Sequence, residues 1–129
     1  MATAQWEHIT TFVIPGRPKP KGRPRFTRTG HAYTPDSTRK AEQNVIDLFE
    51  LACPLWEPTL EDVRLTVHAH FQYGRVADLD NIAKLVSDAL NKYAWVDDKQ
   101  VRKLEVEGFE HAGDDARVEV SFAIYKGES

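Results

Sequence analysis

Residues 63–73 alternate between apolar and polar side chains without a break. Val63, Leu65, Val67, Ala69, Phe71 and Tyr73 fall on one face, and Arg64, Thr66, His68, His70 and Gln72 on the other. A period of two with one apolar face predicts a half-buried strand from Val63 to Tyr73. Val118, Val120, Phe122 and Ile124 repeat the pattern and predict a second strand from Arg117 to Tyr125. Trp6 to Ile14, rich in Thr, Val, Ile and Phe, predicts a first strand that stops at Pro15-Gly16. Another strand is expected from Val101 to Phe109, between turns at Asp97-Asp98 and Gly113-Asp114. Between these the spacing changes to threes and fours. Ala41, Val45, Leu48 and Phe49 predict a helix from Thr38 to about Leu51, capped by Asp36 or Ser37 and ended by Cys53-Pro54 and Pro58. Ile82, Leu85, Ala89, Leu90 and Tyr93 predict a second helix from Asp80 to Tyr93. The order β-α-β-α-β-β implies an α+β fold, one mixed sheet of about four strands with two helices packed on it.

At 129 residues the chain fits one domain, 1–129, which needs no disulfide staples. Its single cysteine, Cys53, reads as a small apolar residue and suits a reducing, cytoplasmic setting. No apolar run is long enough to span a membrane, and no signal pattern opens the chain.

The net charge of −3 hides a strong polarity. Residues 17–40 carry eight Lys or Arg against Asp36 alone, a segment charge of +7 that leaves −10 on the remainder. Five of the seven prolines and three of the seven glycines lie in residues 15–35. Proline fixes φ and donates no backbone hydrogen bond, so this stretch is expected to be an extended, irregular basic loop at about 15–37. Such a loop can present cations to a polyanion whatever the overall sign. A solvated surface loop is the plainer alternative.

Asp78 and Asp80 stand where strand gives way to helix, and Asp98 where the chain enters the next strand. In extended backbone, residues two apart point to one side, about 6.5–7 Å apart at Cα. Asp78 and Asp80 are therefore expected to aim at one point, with Asp98 brought back toward them by the helix. Oxygen ligands alone suit a hard cation such as Mg²⁺, which also binds substrate phosphates and assists phosphodiester cleavage. Lys84, one helical turn after Asp80, can neutralise charge on a scissile phosphate. A helix cap, a solvated acidic turn and a surface Asp80–Lys84 pair explain the same spacing.

The run Asp78-Leu79-Asp80-Asn81-Ile82-Ala83-Lys84, the helix ending Asp88-Ala89-Leu90, and Trp95-Val96-Asp97-Asp98-Lys99-Gln100-Val101 resemble the RusA family of Holliday junction resolvases. The segment Pro18-Lys19-Pro20-Lys21-Gly22-Arg23-Pro24-Arg25-Phe26 resembles the form carried by phage and prophage members. The resemblance spans nearly the whole chain in order and spacing. It implies a homodimeric, Mg²⁺-dependent endodeoxyribonuclease, with Mn²⁺ a possible substitute, that nicks four-way DNA junctions symmetrically in recombination, repair or phage DNA processing. It implies no small-molecule cofactor and no membrane. On that pattern Asp78, Asp80 and Asp98 are the metal-binding catalytic acids and Lys84 the essential lysine. Asp97 is the weaker candidate, and Asn81 is expected to orient Asp78 or Asp80. The expected setting is the cytoplasm of a bacterial or phage-infected cell. The family's founding member carries an arginine run before its first catalytic acid, whereas this chain has Tyr73-Gly74-Arg75-Val76-Ala77. Its DNA-binding charge is instead expected at Lys19, Lys21, Arg23, Arg25 and Arg28, with Arg75. This departure leaves room for the same chemistry on flaps, forks or RNA–DNA hybrids, or for an idle branched-DNA-binding accessory.

Phe26 and Tyr33 can stack on unpaired bases at a branch point, and His31 can touch phosphate. His68 and His70 form a His-x-His pair without a third clustered ligand, so surface or interface histidines are expected over a Zn²⁺ site. Trp6, Trp56 and Trp95 are expected as core or interface anchors.

Overall fold

The computed structural model describes residues 2–22, 25–33 and 35–129, with the side chain of Arg25 outside that description. Four strands form the main sheet: β1 (Ala4–Pro15), β4 (Val63–His70), β5 (Val101–Phe109) and β6 (Arg117–Glu128). Their spatial order is β1-β6-β4-β5. β6 pairs antiparallel with both β1 and β4, whereas β4 and β5 run parallel. Two helices, α1 (Asp36–Ala52) and α2 (Leu79–Leu90), complete the expected α+β architecture. The parallel pair needs a crossover, and α2 supplies it.

Burial follows the alternation read from the sequence. Val63, Leu65, Val67 and Ala69 of the central strand β4 have no solvent exposure, while Arg64, Thr66, His68 and His70 are half-buried on the opposite face. The helices place Val45, Ile46 and Phe49 of α1 and Ile82, Val86, Ala89 and Leu90 of α2 in the same core. Phe122 of β6 is the aromatic hub. Its ring centroid lies 5.9 Å from Phe49, 5.8 Å from Trp56 and 5.9 Å from Trp95. Trp56 and Trp95 are thus core anchors, whereas Trp6 stacks edge-on against Tyr125 on the other face.

Several boundaries differ from expectation, each for a local reason. Pro35 occupies the α1 N-cap, so the helix starts at Asp36 and neither Asp36 nor Ser37 caps it through a side chain. β4 ends at His70, short of Tyr73, because its partner β5 ends opposite it at Phe109. The chain then bends away, leaving Tyr73 69% exposed. α2 closes at Leu90, before Tyr93, since Asn91 caps it and Lys92 turns with φ 78°. The basic loop is not wholly irregular. Within it β2 (Arg25–Phe26) and β3 (Ala32–Tyr33) pair antiparallel around a turn closed by Thr27 N–H to the His31 carbonyl at 2.9 Å. Among the described residues, no helix is long and apolar enough to cross a membrane.

Candidate active site

Leu79 sets the local geometry where β4 passes into α2. It is half-buried between two exposed carboxylates, Asp78 and Asp80. Its Cδ2 lies 3.1 Å from where a Cβ on Gly108 of β5 would stand, and Val76 Cγ1 only 2.3 Å from that point. Glycine at 108 is what lets this connection lie flat on the sheet. The backbone at Asp78 is not extended, contrary to the expectation from the i, i+2 spacing of Asp78 and Asp80. It holds the left-handed conformation, φ 55° and ψ 31°, at the α2 N-cap, and Asp80 is already in the helix's first turn. The two carboxylates therefore flank a sharp turn and do not share one side of a strand.

Down the helix, Asp80, Lys84 and Asp88 recur every fourth residue and so share a face. With Ala83, Ser87 and the β5 side chains Leu104 and Val106, they line a groove of about 450 Å³. Asp80 and Lys84 are exposed, whereas Asp88 is half-buried. Among the described residues, no Lys or Arg is ion-paired with Asp78, Asp80 or Asp98.

Asp98 stands elsewhere. It opens a 3-10 turn, Asp98–Gln100, immediately before β5. Because β5 runs parallel to β4 and starts beside Val63, α2 returns the chain to the beginning of β4 and away from Asp78. The 12 residues of α2 put about 18 Å between its ends. Asp98 therefore lies near the C-terminal end of α2, and the expectation that it folds back to Asp78 within one protomer does not hold. Its electrostatics agree: a hydrogen bond to the Asp97 carboxyl chiefly raises its pKa above the usual value, with desolvation and the charges of Asp97 and Asp88 adding to this. Asp97 shifts the other way, held down first by the Lys99 backbone N–H. It is a cap: it accepts that N–H at 3.2 Å, while its own N–H donates to Gln100 Oε1 at 2.8 Å. Gln100 in turn donates to the carbonyls of Thr59 and Glu61 at 2.7 and 2.8 Å, which fixes the turn to the start of β4.

Among the described residues, no three His, Cys, Asp or Glu side chains gather within metal-ligating reach. The donor set nonetheless suits a hard cation: exposed carboxylates, each with lone pairs to spare. Mg²⁺ takes one or two carboxylates plus water and substrate phosphate, and does not require a closed protein cage.

The basic loop is anchored beside this helix. Lys21 N–H donates to the Asn81 carbonyl at 3.0 Å, and its ammonium pairs with Asp88. Gly22 N–H donates to Thr38 Oγ1 of α1 at 3.1 Å, where a Cβ on Gly22 would stand 2.7 Å from that oxygen. The described contact of Asn81 is thus through its backbone, to the loop. Lys19, Arg28 and Arg75 are exposed, Arg28 in the hairpin turn and Arg75 in the connection leading to Asp78. Arg23 and the side chain of Arg25 lie outside the described residues. Phe26 and Tyr33 are 68% and 43% exposed on the hairpin, and His31 is exposed beside them.

Sequence reasoning missed the Lys21–Asp88 pair. The Asp80–Lys84–Asp88 period could have flagged Asp88, but its partner 67 residues away carried no signal. His70 lies flat on Phe109, ring centroids 4.6 Å apart, and its Nε2 donates to Glu119 Oε1 at 3.0 Å. His68 meets the same ring edge-on at 5.5 Å. Both belong to the packing of the sheet's outer face.

Residues 15–123 match the family model described as Endodeoxyribonuclease RusA. A curated relative from Shigella sonnei (strain Ss046), Crossover junction endodeoxyribonuclease RusA, is 34% identical over 82 residues, 63% of this chain and 61% of the relative. The match thus spans less than two thirds of that relative's length. An acidic helix start, a Lys84 groove and a basic loop hooked to the same helix accompany a family match over most of the sequence, and the chain belongs to the endodeoxyribonuclease RusA family.

Proposed function

We propose that this one-domain chain is a Mg²⁺-dependent endonuclease, with Mn²⁺ a possible substitute, that resolves four-way DNA junctions by paired, symmetric nicks. Its setting would be the cytoplasm of a bacterial or phage-infected cell, in recombination, repair or phage DNA processing. The observation that carries this is the placing of Asp80 and Lys84 in one solvent-open groove on α2, in a chain of this family.

Asp78, Asp80 and Asp98 would hold the ion, which when bound supplies charge stabilisation at the phosphate and a more acidic water. The chain's own part is positional. Leu79, seated against Gly108, holds Asp78 and Asp80 outward. Lys84, one turn on, places its ammonium where negative charge develops on the scissile phosphate. Lys19, Lys21, Arg23, Arg25, Arg28 and Arg75 would engage the backbone phosphates, Lys21 exchanging its pairing with Asp88 for a phosphate.

A homodimer answers the separation of Asp98 from Asp78. Two protomers related by a two-fold axis, packed with their α2 helices antiparallel, would set Asp98 of each beside Asp78 and Asp80 of the other. Leu104, 51% exposed in the groove, is an apolar contact for such a face. Two sites related by the same axis would then give two matched nicks.

The test is a synthetic four-way junction beside linear duplex of the same sequence, with Mg²⁺ or EDTA. Paired nicks in the junction, dependent on Mg²⁺, are expected. Asp78→Asn and Asp98→Asn should each abolish cutting while binding stays near normal, and wild-type cutting by either variant would remove the assigned chemistry. That Arg75 is the sole cation just before the first acid favours a second reading, the same chemistry on flaps, forks or RNA–DNA hybrids, which comparative cutting rates would separate.

A further inference from the structure

On the inner side of α2, away from the Lys84 groove, a cavity of about 370 Å³ opens between the two helices and the chain leaving β1. Its floor is aliphatic: Val45 of α1, Ile82, Leu85 and Val86 of α2, and Val118 of β6. At its mouth stand Arg17, Lys19 and Lys40, all exposed. Among the described residues no carboxylate lines it, although the chain as a whole is acidic. Among the described residues none of these three cations is ion-paired. Ser37 and Asn44 add polar atoms at the wall.

We infer that this cavity receives one unstacked nucleotide of the bound DNA, base on the aliphatic floor and flanking phosphates at Arg17, Lys19 and Lys40. The charge complementarity selects the occupant. A bare anion would leave the floor wet, and a neutral apolar ligand would leave three cations without a counter-charge. A nucleotide satisfies both, and its volume suits a pocket of this size. Asn44 and Ser37 can hydrogen-bond a base edge. Extruding a base costs less where stacking is already interrupted, as at a branch point.

The position also fits. The loop that carries Arg17 and Lys19 continues to Lys21, which is fixed to Asn81 and Asp88 of α2. The cavity and the Asp80–Lys84 groove lie on opposite sides of that one helix, about 10 Å across. That is about three nucleotides of a stacked strand, so a captured base would set which phosphate meets Lys84.

This inference rests on the nuclease reading, and its test separates the two. Junctions carrying 2-aminopurine, an adenine analogue that brightens when unstacked, at successive positions around the branch are titrated with protein in EDTA. One position is expected to brighten, and an abasic analogue there should weaken binding about tenfold. Ala41→Trp, at the cavity wall, should abolish the brightening, as should Asn44→Trp at an exposed position if the first variant folds poorly. Binding and Mg²⁺-dependent cutting without brightening at any position would overturn the inference and leave the nuclease intact. Brightening that survives both tryptophans but is lost in Phe26→Ala or Tyr33→Ala would move the base to the hairpin and overturn it too. A change of sedimentation in either tryptophan variant would assign the cavity to a second copy instead. Failure of the wild type to bind any DNA would sink the nuclease reading first.

Discussion

Asp78 holds a left-handed backbone, φ 55°, at the α2 N-cap, and its side chain makes no capping hydrogen bond. An L-residue there gives up roughly 1 kcal/mol, with Asp and Asn among the few that tolerate it. Residues held in sparsely populated backbone regions cluster at active sites and ligand clamps. Asp78→Gly should therefore leave stability unchanged or raise it by up to about 1 kcal/mol, while junction cleavage disappears. Urea unfolding read beside cleavage checks this. A marked loss of stability would show that the carboxylate supports the fold. Asp97 is the opposite case: the neighbour of a candidate ligand, its oxygens are already committed to the turn.

At the scale of elements, the outer face of the sheet is tied across strands by a hydrogen-bonded carboxylate. Glu119 of β6 accepts hydrogen bonds from His70 of β4 at 3.0 Å and from Arg117 at 3.2 Å. Burial pushes its pKa up, but those two hydrogen bonds and the Arg117 charge outweigh it and hold the group below its ordinary 4.5. A carboxylate depressed in the folded state contributes stability in full above its unfolded pKa and loses it as pH falls through the folded value. The contribution should thus be intact at neutral pH, begin to fall below about 4.5, and be lost as pH drops through the lower folded value. Glu119→Gln should flatten the acid limb of a thermal-stability profile and lower Tm at pH 7. An unchanged acid limb would show that the pairing does not survive in solution. A second tie between elements is the Lys21–Asp88 pair, which together with Gly22 on Thr38 keeps the basic segment beside α1 and α2.

For the whole molecule, the decisive feature is the separation of Asp98 from Asp78 by the length of α2. If sites are completed across a dimer, each draws Asp78 from one protomer and Asp98 from the other. Mixing Asp78→Asn with Asp98→Asn protein, each inactive alone, then yields heterodimers with one intact site and one doubly altered. After subunit exchange an equal mixture should recover nicking at about a quarter of the wild-type site concentration, with single nicks in place of paired ones. No recovery, with exchange verified, would mean that each site lies within one protomer. Sedimentation showing only monomer at micromolar concentration would remove the dimer altogether.

Local physics was legible in the sequence because it is local. Alternation at 63–70 and 117–125 and the three-four spacing of both helices follow from which side chains must leave water, and the burial of Val63, Leu65, Val67 and Ala69 bears this out. The family was legible because its motifs keep order and spacing along the chain. What depended on contacts between distant segments was not legible. β4 ended early because its partner ended, and Lys21 met Asp88 because the loop folded over α2. Gly22 and Gly108 are glycines because another segment presses on each. The direction in which α2 carries the chain was such a case, since pattern gives a helix's length and face but not the end of the sheet to which it returns. Residue types and their spacing were determined by the sequence alone. Which of the three aspartates share a protomer's surface was decided by the parallel pairing of β4 and β5, which sends the crossover helix back to where β4 began.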